Sequence, residues 1–264
     1  MRPPSDRDPA ALRDFALGLV DETDAIALAH YAGELTIAAK HDRTLVTQAD
    51  TGVEERLRQR IQAAFPSHGI LGEEFGVEAG DGETRWIIDP IDGTHNFVRG
   101  IPVWATLIAV ERAGELIASV VSAPALGQRW HAALGGGAAT RDVSGERSIR
   151  VSSVAELGEA QVVFSTLDAM NREGRGDVLN ELVRDAWRDR GLGDFWGYCL
   201  VAQGAAEIML ETGPTLWDLA APALLVREAG GRFTNFAGSK DIDGPTALAT
   251  NGLLHDEVLR RLAG

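Results

Sequence analysis

A chain of 264 residues with 45% hydrophobic composition is long enough for one large domain, or two small ones, with a proper core. Its net charge of −14 argues against a nucleic-acid-binding surface, and an anionic substrate would need a metal ion beside it. The single cysteine, Cys199, excludes an intrachain disulfide and a cysteine-based zinc site. The first ten residues lack an apolar signal segment, and no apolar run approaches the roughly 18 residues of a membrane span, so we expect a cytoplasmic protein.

The N-terminal part is predicted to contain helices followed by strands. Apolar spacing from Asp8 to about Ala39 favours one or two amphipathic helices, with Pro9 in the first turn. A further helix follows Asp50 and ends before Pro66. The segments HGILGEE and RWIIDPI then have the composition of strands.

The remainder alternates strands and helices. Residues 104–151 are rich in β-forming runs separated by short glycine-containing turns, which predicts an antiparallel meander. After it we predict, in order, a strand at QVVFST, a helix at 177–190, a small-residue helix at GYCLVAQGAAEI, a helix at 219–229, a strand near 246–250 and a short helix from about 254. Without repeats or a linker, we expect an N-terminal α+β subdomain (1–150) and a C-terminal α/β subdomain (151–264) within one compact body.

Two carboxylates follow the apolar run in the stretch WIIDPIDGTHNF. Pro90 pushes Asp89 toward an extended conformation and Gly93 permits a tight turn, so a loop at the end of the strand could aim Asp89 and Asp92 at one point. Taking two neighbouring carboxylates out of water is costly, so a positive group should lie between them. A cluster of acids alone suits Mg2+ or Mn2+. The backbone N–H groups of Gly93 and Thr94 would offer a phosphate oxygen a place to dock.

Further acidic residues lie, like Asp89 and Asp92, at the end of a predicted strand or at the start of a predicted helix. Glu73 and Glu74 end the apolar strand in ILGEEFG, and Asp218 lies where a helix begins in LWDLAAP. Taken singly, Asp92 could belong to a simple Asp-Gly turn, the two glutamates to a solvated strand end, and Asp218 to a helix N-cap. Together, acids from three segments could enclose two cations about 3.5–4 Å apart, the geometry that serves in-line displacement at phosphorus.

Three motifs occur in one order along the chain: GEE at 72–74, DPIDGT at 89–94 and WDLAAPALLVREAGG at 217–231, with a weaker LVTQAD ending at Asp50. With these motifs the chain resembles the inositol monophosphatase-like, magnesium-dependent phosphatases from about residue 40 to 250. The resemblance implies an α+β fold with α-β-α-β-α layers, of the inositol monophosphatase and fructose-1,6-bisphosphatase type. It also implies a homodimer that acts on a small phosphomonoester. The acidic charge and the absence of a long apolar run lead us to expect contact with neither nucleic acid nor membrane.

The resemblance implies a set of metal ligands. Glu73, Asp89 and the carbonyl oxygen of Ile91 would bind one Mg2+, and Asp89, Asp92 and Asp218 would bind a second. A third, weaker ion would contact Glu73 through water. The expected content is therefore two to three Mg2+ per subunit, with Mn2+ as the alternative metal.

The resemblance also implies the catalytic residues: Thr94, Asp50 and Glu73. Thr94, with Asp50 behind it, would orient and help deprotonate the attacking water. The metals would lower the pKa of that water and neutralise charge on phosphorus and the leaving oxygen. No covalent phosphoenzyme is implied.

The identity of the phosphate ester depends on residues outside the metal motifs. Members of the family act on inositol phosphates, fructose 1,6-bisphosphate, adenosine 3',5'-bisphosphate or histidinol phosphate. Where the inositol-type members are expected to have small residues, this chain has Phe195, Trp196 and Tyr198. These rings would offer an imidazole a flat platform, and Glu211 would pair with an ammonium group, so the chain is most similar to the histidinol-phosphate phosphatases of histidine biosynthesis. The candidate substrate and phosphate contacts are Asp92, Gly93, Thr94, Asp194, Trp196, Tyr198 and Glu211.

Alternatives remain open at this stage. If the aromatic residues pack in the interior or at a dimer interface, inositol-1-phosphate or a broad range of sugar phosphates becomes the expected substrate. A regulatory binding protein that keeps the fold is an alternative of another class. His95 could contact substrate and Lys40 could guide the phosphate, or both could be ordinary surface residues. Cys199 is expected to be structural.

Overall fold

Two large β-sheets separated by helices form the frame of the computed structural model, which describes residues 5–31, 37–39 and 45–263. The helices are α1 (Pro9–Tyr31), α2 (Gln48–Ala64), α3 (Thr94–Val98), α4 (Leu167–Arg172), α5 (Gly176–Asp185), α6 (Asp194–Ala202), α7 (Leu216–Glu228) and α8 (His255–Ala263). Within these described ranges, no helix is both long enough and apolar enough to cross a membrane.

The strands are β1 (Ile37–Ala39), β2 (Leu45–Thr47), β3 (Gly69–Gly72), β4 (Gly76–Glu78), β5 (Thr84–Asp92), β6 (Ala105–Arg112), β7 (Glu115–Ala123), β8 (Gln128–Ala133), β9 (Gly137–Asp142), β10 (Gly145–Ile149), β11 (Gln161–Phe164), β12 (Arg188–Arg190), β13 (Ile208–Thr212), β14 (Arg232–Thr234) and β15 (Thr246–Thr250). An eight-stranded sheet has the order β10-β9-β8-β7-β6-β5-β3-β4, and its neighbours are antiparallel except for the parallel pair β3 and β5. A five-stranded sheet has the order β12-β11-β13-β15-β14, with β11 parallel to both of its neighbours. Strands β6 to β10 are the predicted antiparallel meander.

Alternate residues of the strands face different layers. On β5, Trp86 and Ile88 pack with α1 and α2, whereas Ile87 faces the opposite side and packs with α6 and α7. On β13, Met209 faces α6 and α7, and its neighbours Ile208 and Leu210 pack with α4, α5 and α8. The layers are therefore helix, sheet, helix, sheet, helix, which confirms the predicted α-β-α-β-α fold.

Helix α7 lies in the middle layer, between the two sheets. Every residue from Leu219 to Val226 is buried, so the helix has no polar face along this stretch. Pro222 is part of this buried stretch and lies in the second turn of the helix. Cys199 is buried in the same core, where burial raises the pKa of its thiol, in agreement with a structural role.

The N-terminal helix is shorter than predicted. It ends at Tyr31, and residues 37–39 form β1, which pairs with β2, so the expected helical stretch to Ala39 is wrong at its end. Lys40 lies outside the described residues. The second helix begins at Gln48, two residues before Asp50 rather than after it.

The segment from 177 to 212 also differs from the prediction. The helix expected at 177–190 stops at Asp185, and the chain then forms the edge strand β12. The helix expected at 197–208 runs instead from Asp194 to Ala202, because Gly204 adopts a positive φ of 74° and ends it. The residues that follow enter β13, a central strand that the sequence patterns did not identify.

Candidate active site

The end of β5 carries two buried carboxylates, those of Asp89 and Asp92. The strand predicted at RWIIDPI extends one residue further, to Asp92, through an irregularity in its pairing with β6. Pro90 fits there because β3 ends opposite Ile88 and the ladder to β6 is interrupted. The carbonyl of Pro90 accepts a hydrogen bond from Thr106 Oγ1 at 2.8 Å, which fixes the bulge.

Asp218 reaches the same place from the start of α7. It is the third residue of the helix, and its Oδ2 accepts hydrogen bonds from Thr215 N (2.7 Å) and Thr215 Oγ1 (3.0 Å) in a capping box. One oxygen from each of Asp89, Asp92 and Asp218 lies within 4.8 Å of the other two. We call these three residues the acidic trio.

The acidic trio is electrostatically strained in the absence of a cation. Burial raises the pKa of Asp89 well above its usual range, and the negative charges of Glu73, Asp92, Asp218 and Asp50 raise it further. The pKa of Asp92 is likewise raised, first by burial and then by Asp194 and Asp218. Burial raises the pKa of Asp218 to about 6. Buried oxygen ligands with mutually repelling charges fit a hard divalent cation such as Mg2+.

Glu73 lies in the turn after β3, beside the acidic trio rather than inside it. Its backbone N–H donates to the carbonyl oxygen of Ile88 at 3.2 Å, and its negative charge contributes to the raised pKa values of Asp89 and Asp218. The three-way cluster of oxygen atoms within 4.8 Å does not include Glu73. Its role as a metal ligand therefore stays a prediction, as does that of the Ile91 carbonyl.

Thr94 begins the short helix α3 and faces Asp50. Its Oγ1 lies 3.0 Å from Ile91 O and 3.5 Å from Asp50 Oδ1. The preceding Gly93 has a φ of 82°, and a Cβ there would lie 2.9 Å from Val103 O, so both backbone conformation and close packing require glycine. The structure thus brings together the predicted pair Thr94 and Asp50.

Asp50 is held by a second capping box. It is fully buried at the third position of α2, and its Oδ2 accepts from Thr47 N (2.8 Å) and Thr47 Oγ1 (2.5 Å). This arrangement leaves Oδ1 directed at Thr94. The sequence analysis missed Thr47 and Thr215, although a threonine three residues before each acid is a recognisable capping signal.

A cavity of about 250 Å3 opens beside the acidic trio. Asp92 and Asp218 belong to the acidic trio and also line the cavity. Asp194 and Glu211 add two further carboxylates to the cavity wall. Phe195 also lines the cavity, and its N–H donates to Asp92 Oδ2 at 2.7 Å. The cavity therefore joins the acidic trio to a second region whose carboxylates favour a positively charged group.

Asp194 is the first residue of α6 and has an unusual backbone. Its φ of 58° is in the left-handed region, which is uncommon for a residue other than glycine and is often found at functional sites. Its Oδ2 accepts from Asn96 Nδ2 at 3.4 Å, and burial raises its pKa. The exposed His95 acts on it in the opposite direction, since a positive charge there lowers the pKa of Asp194.

Tyr198 and Glu211 form a buried pair. The Tyr198 hydroxyl donates to Glu211 Oε2 at 2.6 Å, and its ring packs against Phe233 with 5.3 Å between the centroids. Burial raises the pKa of Glu211 to about 8. The Tyr198 ring is buried and its hydroxyl positions Glu211, and its role as a platform for substrate stays a prediction. Trp196 packs against the core and is not among the residues that line the cavity, so its platform role also stays a prediction.

A family model described as the inositol monophosphatase family matches residues 8–263. The chain belongs to the inositol monophosphatase family. This membership confirms the resemblance seen in the three acidic motifs. The family is metal-dependent, in accord with the acidic trio.

Within the inositol monophosphatase family, this chain is strongly similar in sequence to proteins named histidinol-phosphatase. The Mycobacterium tuberculosis protein of that name is 49% identical over 250 residues, covering 94% of this chain and 96% of its own. The Streptomyces coelicolor protein is 44% identical, covering 95% and 97%. A protein named inositol-1-monophosphatase from Mesorhizobium japonicum is 34% identical, covering 86% and 85%.

Solved structures share the fold. The extragenic suppressor protein suhB from Bartonella henselae superposes with a TM-score of 0.88 at 28% identity, covering 96% of this chain and 98% of that one. The Thermotoga maritima IMPase TM1415 superposes with a TM-score of 0.85 at 30% identity, covering 95% and 96%. The five-layer arrangement is thus that of the inositol monophosphatase family.

Proposed function

We propose that this protein is a Mg2+-dependent phosphatase that hydrolyses L-histidinol phosphate to L-histidinol and phosphate in histidine biosynthesis. The observation that carries the proposal is the cavity in which Asp194 and Glu211 stand beside the acidic trio. Such a cavity suits a small phosphomonoester whose other end is positively charged, and histidinol phosphate carries an ammonium group and an imidazole. The 49% and 44% identical relatives named histidinol-phosphatase support the same substrate.

The acidic trio, with Glu73 beside it, would hold the metal. Bound there, Mg2+ would supply positive charge at the phosphate and lower the pKa of a neighbouring water. We expect two to three ions per subunit, with Mn2+ able to replace Mg2+. The mutual repulsion of Asp89, Asp92 and Asp218 supports a multivalent cation over a monovalent one.

Thr94 and Asp50 would handle the attacking water. Thr94 Oγ1 can accept a hydrogen bond from that water while it donates to Asp50, whose Oδ1 lies 3.5 Å away. Burial raises the pKa of Asp50, which makes its carboxylate a better acceptor for a proton. The two residues together would orient the water and, as its oxygen bonds to phosphorus, pass its proton through the Thr94 hydroxyl to the Asp50 carboxylate.

Glu211 would select the ammonium group of the substrate. Tyr198 holds Oε2, and Oε1 of the same carboxylate can accept from an ammonium group in the cavity. Asp194 supplies a second negative charge on the same wall. A neutral inositol ring would gain less from these charges, although the 34% identical inositol-1-monophosphatase keeps inositol-1-phosphate as the second candidate.

Phosphate release from L-histidinol phosphate by the wild type and by Asp89→Asn tests this proposal. The wild type should release phosphate only with Mg2+ or Mn2+, and Asp89→Asn should lose the activity while remaining folded by circular dichroism. Release that survives chelation of divalent metals, or that Asp89→Asn retains, would contradict the metal site. A folded protein that releases no phosphate from any ester would favour a regulatory binding protein.

A further inference from the structure

Glu54 is a buried carboxylate near the acidic trio, and none of the roles described above uses it. It lies on α2 one helical turn after Asp50, and its exposed fraction is 0%. A buried carboxylate is costly unless its oxygens are hydrogen-bonded and its charge is paired. The contacts of Glu54 therefore indicate what it does.

Both oxygens of Glu54 bind the backbone of the turn that carries Glu73. Oε2 accepts from the N–H of Glu74 at 2.8 Å, and Oε1 accepts from the N–H of Phe75 at 3.2 Å. The N–H of Glu73 itself donates to Ile88 O at 3.2 Å. Three consecutive N–H groups of the turn are thus held, one by β5 and two by Glu54.

Gly72 leaves the space that this carboxylate occupies. A Cβ at position 72 would overlap with the Glu54 carboxylate. Gly72 has no positive φ, so the close approach of Glu54, not the backbone conformation, is what requires glycine here. The glycine of the GEE motif and Glu54 therefore belong to one arrangement.

Arg58 pairs with the charge of Glu54. Its Nε donates to Glu54 Oε1 at 2.8 Å, and 11% of its side chain is exposed. The same guanidinium donates to Gly76 O at 2.5 Å and lies 3.4 Å from Glu78 Oε2. Glu54 and Arg58 together therefore bind the backbone from the turn after β3 to the start of β4.

Asp50 and Glu54 are four residues apart and so lie on the same face of α2. Asp50 faces the Thr94 hydroxyl, and Glu54 binds the turn that carries Glu73. One face of a single helix therefore supports both the hydroxyl that would orient the water and the carboxylate beside the acidic trio.

We propose that Glu54 is a positioning residue that holds Glu73 in place for metal binding, an inference that rests on the proposed metal-dependent function. Glu54 acts through the backbone of residues 73–75 and does not touch the metal or the substrate. Its loss lets the turn move and so weakens the metal site. Partners behind metal ligands typically contribute about 10–100-fold to metal affinity.

Glu54→Gln tests the inference through metal binding itself. Glutamine keeps the size of the side chain but turns one acceptor into an NH2 group that faces a backbone N–H. We expect the Kd for Mn2+, measured by electron paramagnetic resonance on metal-free protein, to rise about tenfold or more. The Mg2+ concentration for half-maximal activity rises in parallel, and kcat recovers at saturating Mg2+.

Two further variants keep the test decisive. Ile61→Val removes a methyl group from the buried face of the same helix, lowers stability slightly and should leave the Mn2+ affinity unchanged. Gly72→Ala places a methyl group against the Glu54 carboxylate and should raise the Kd for Mn2+ as Glu54→Gln does, which provides the comparison if Glu54→Gln does not fold.

The outcomes separate this inference from the proposed function. If the wild type binds Mn2+ and both Glu54→Gln and Gly72→Ala bind it with the same affinity, the positioning role alone is overturned. A wild type that binds no Mn2+ and needs no metal for activity overturns the proposed function and the positioning role together. A loss of affinity in Ile61→Val equal to that in Glu54→Gln shows that Glu54 acts only through general stability.

Discussion

Asp218 caps α7 and belongs to the acidic trio, and burial, together with the negative charge of Glu73, makes its own charge unfavourable when no cation is bound. Its pKa in the folded protein is about 6, compared with an ordinary value of 3.8. The unfolded chain therefore ionises at lower pH than the folded one, so this carboxylate costs no stability below about pH 4. The cost grows through about pH 6 and is complete above it.

Asp218→Asn should consequently stabilise the metal-free protein. The amide keeps an acceptor for the cap at Thr215 and removes the charge, so the free energy of unfolding at pH 8 should rise by about 1–3 kcal/mol. Mg2+ should no longer raise the melting temperature, and phosphatase activity should be lost. The exposed Asp168→Asn is the matched control, with no change in any of these. Destabilisation of the metal-free protein by Asp218→Asn would contradict this cost of the buried charge.

Glu211 gives a pH prediction for catalysis. Burial raises the pKa of Glu211 to about 8, so its carboxyl group is mostly protonated at neutral pH and, in the proposed role, would pair with an ammonium group as it ionises. The kcat/KM for histidinol phosphate should therefore rise between pH 6.5 and 8.5. Glu211→Gln should flatten this rise and increase KM about 10–100-fold, since hydrogen bonds to charged groups contribute about 1.5–3 kcal/mol. An unchanged pH profile in Glu211→Gln, measured at saturating Mg2+, would exclude this role.

At the scale of elements, the capping box of α2 links helix formation to the site. Thr47→Ala should reduce stability by about 1 kcal/mol, the usual effect of losing an N-cap. It should also reduce kcat, because Asp50 Oδ2 loses a partner and Oδ1 is no longer held toward Thr94. Thr47→Ser restores the hydroxyl and should recover both quantities in denaturant unfolding and steady-state kinetics. If Thr47→Ser recovered stability but not kcat, the capping box would not be what positions Asp50 for catalysis.

The start of α8 is joined to the small sheet by a buried histidine. His255 bonds Thr234 Oγ1 of β14 and Thr250 Oγ1 of β15, both at 2.9 Å, and burial lowers its pKa to about 4. Because the unfolded chain takes up this proton near pH 6.5 and the folded one only near pH 4, this histidine causes stability to decrease as pH falls through that window.

His255→Asn should remove this part of the pH dependence. Urea unfolding at pH 7.5 and pH 5 should show a larger loss of stability in the wild type than in the variant, even though the variant is less stable at pH 7.5. The exposed His95→Asn serves as the comparison and should keep the wild-type difference between the two pH values. Equal differences in wild type and His255→Asn would show that the imidazole is not the responsible group.

The sequence predicted some elements well and others poorly, for physical reasons. The meander from β6 to β10 follows from alternating strands and short turns, which are local features. Edge strand β12 has only three residues, and β13 follows the small-residue stretch 202–206 without a turn signal of its own, so neither strand has a distinctive local pattern. Their assignment depends on pairing with β11, which is a tertiary contact.

The same limit applies within the site. The acids of the trio are recognisable because their motifs place them at strand ends and at a helix start, and the structure brings them together. The burial of Tyr198 against Phe233 and the positive φ of Asp194 depend on how α6 packs, which residue type alone does not determine. Glu54 was missed because a glutamate on an amphipathic helix is ordinarily a solvated residue.

For the whole molecule, the two sheets follow one another in sequence. The eight-stranded sheet uses residues 69–149 and the five-stranded sheet uses residues 161–250, while α7 from the second half packs between them. The division into subdomains 1–150 and 151–264 stays a prediction, as does the homodimer. The shared middle layer explains why the site takes Asp89 and Asp92 from one half and Asp218 from the other.

The central claim is that the whole assembly is a metal-dependent phosphatase selective for histidinol phosphate. The most direct test is kcat/KM for phosphate release from L-histidinol phosphate and from inositol-1-phosphate in parallel, with and without Mg2+. The account predicts Mg2+-dependent release with at least a tenfold preference for histidinol phosphate, which corresponds to about 1.4 kcal/mol of differential transition-state binding. A preference for inositol-1-phosphate would contradict the role of Glu211 and Asp194, and release that does not require Mg2+ would contradict the metal site itself.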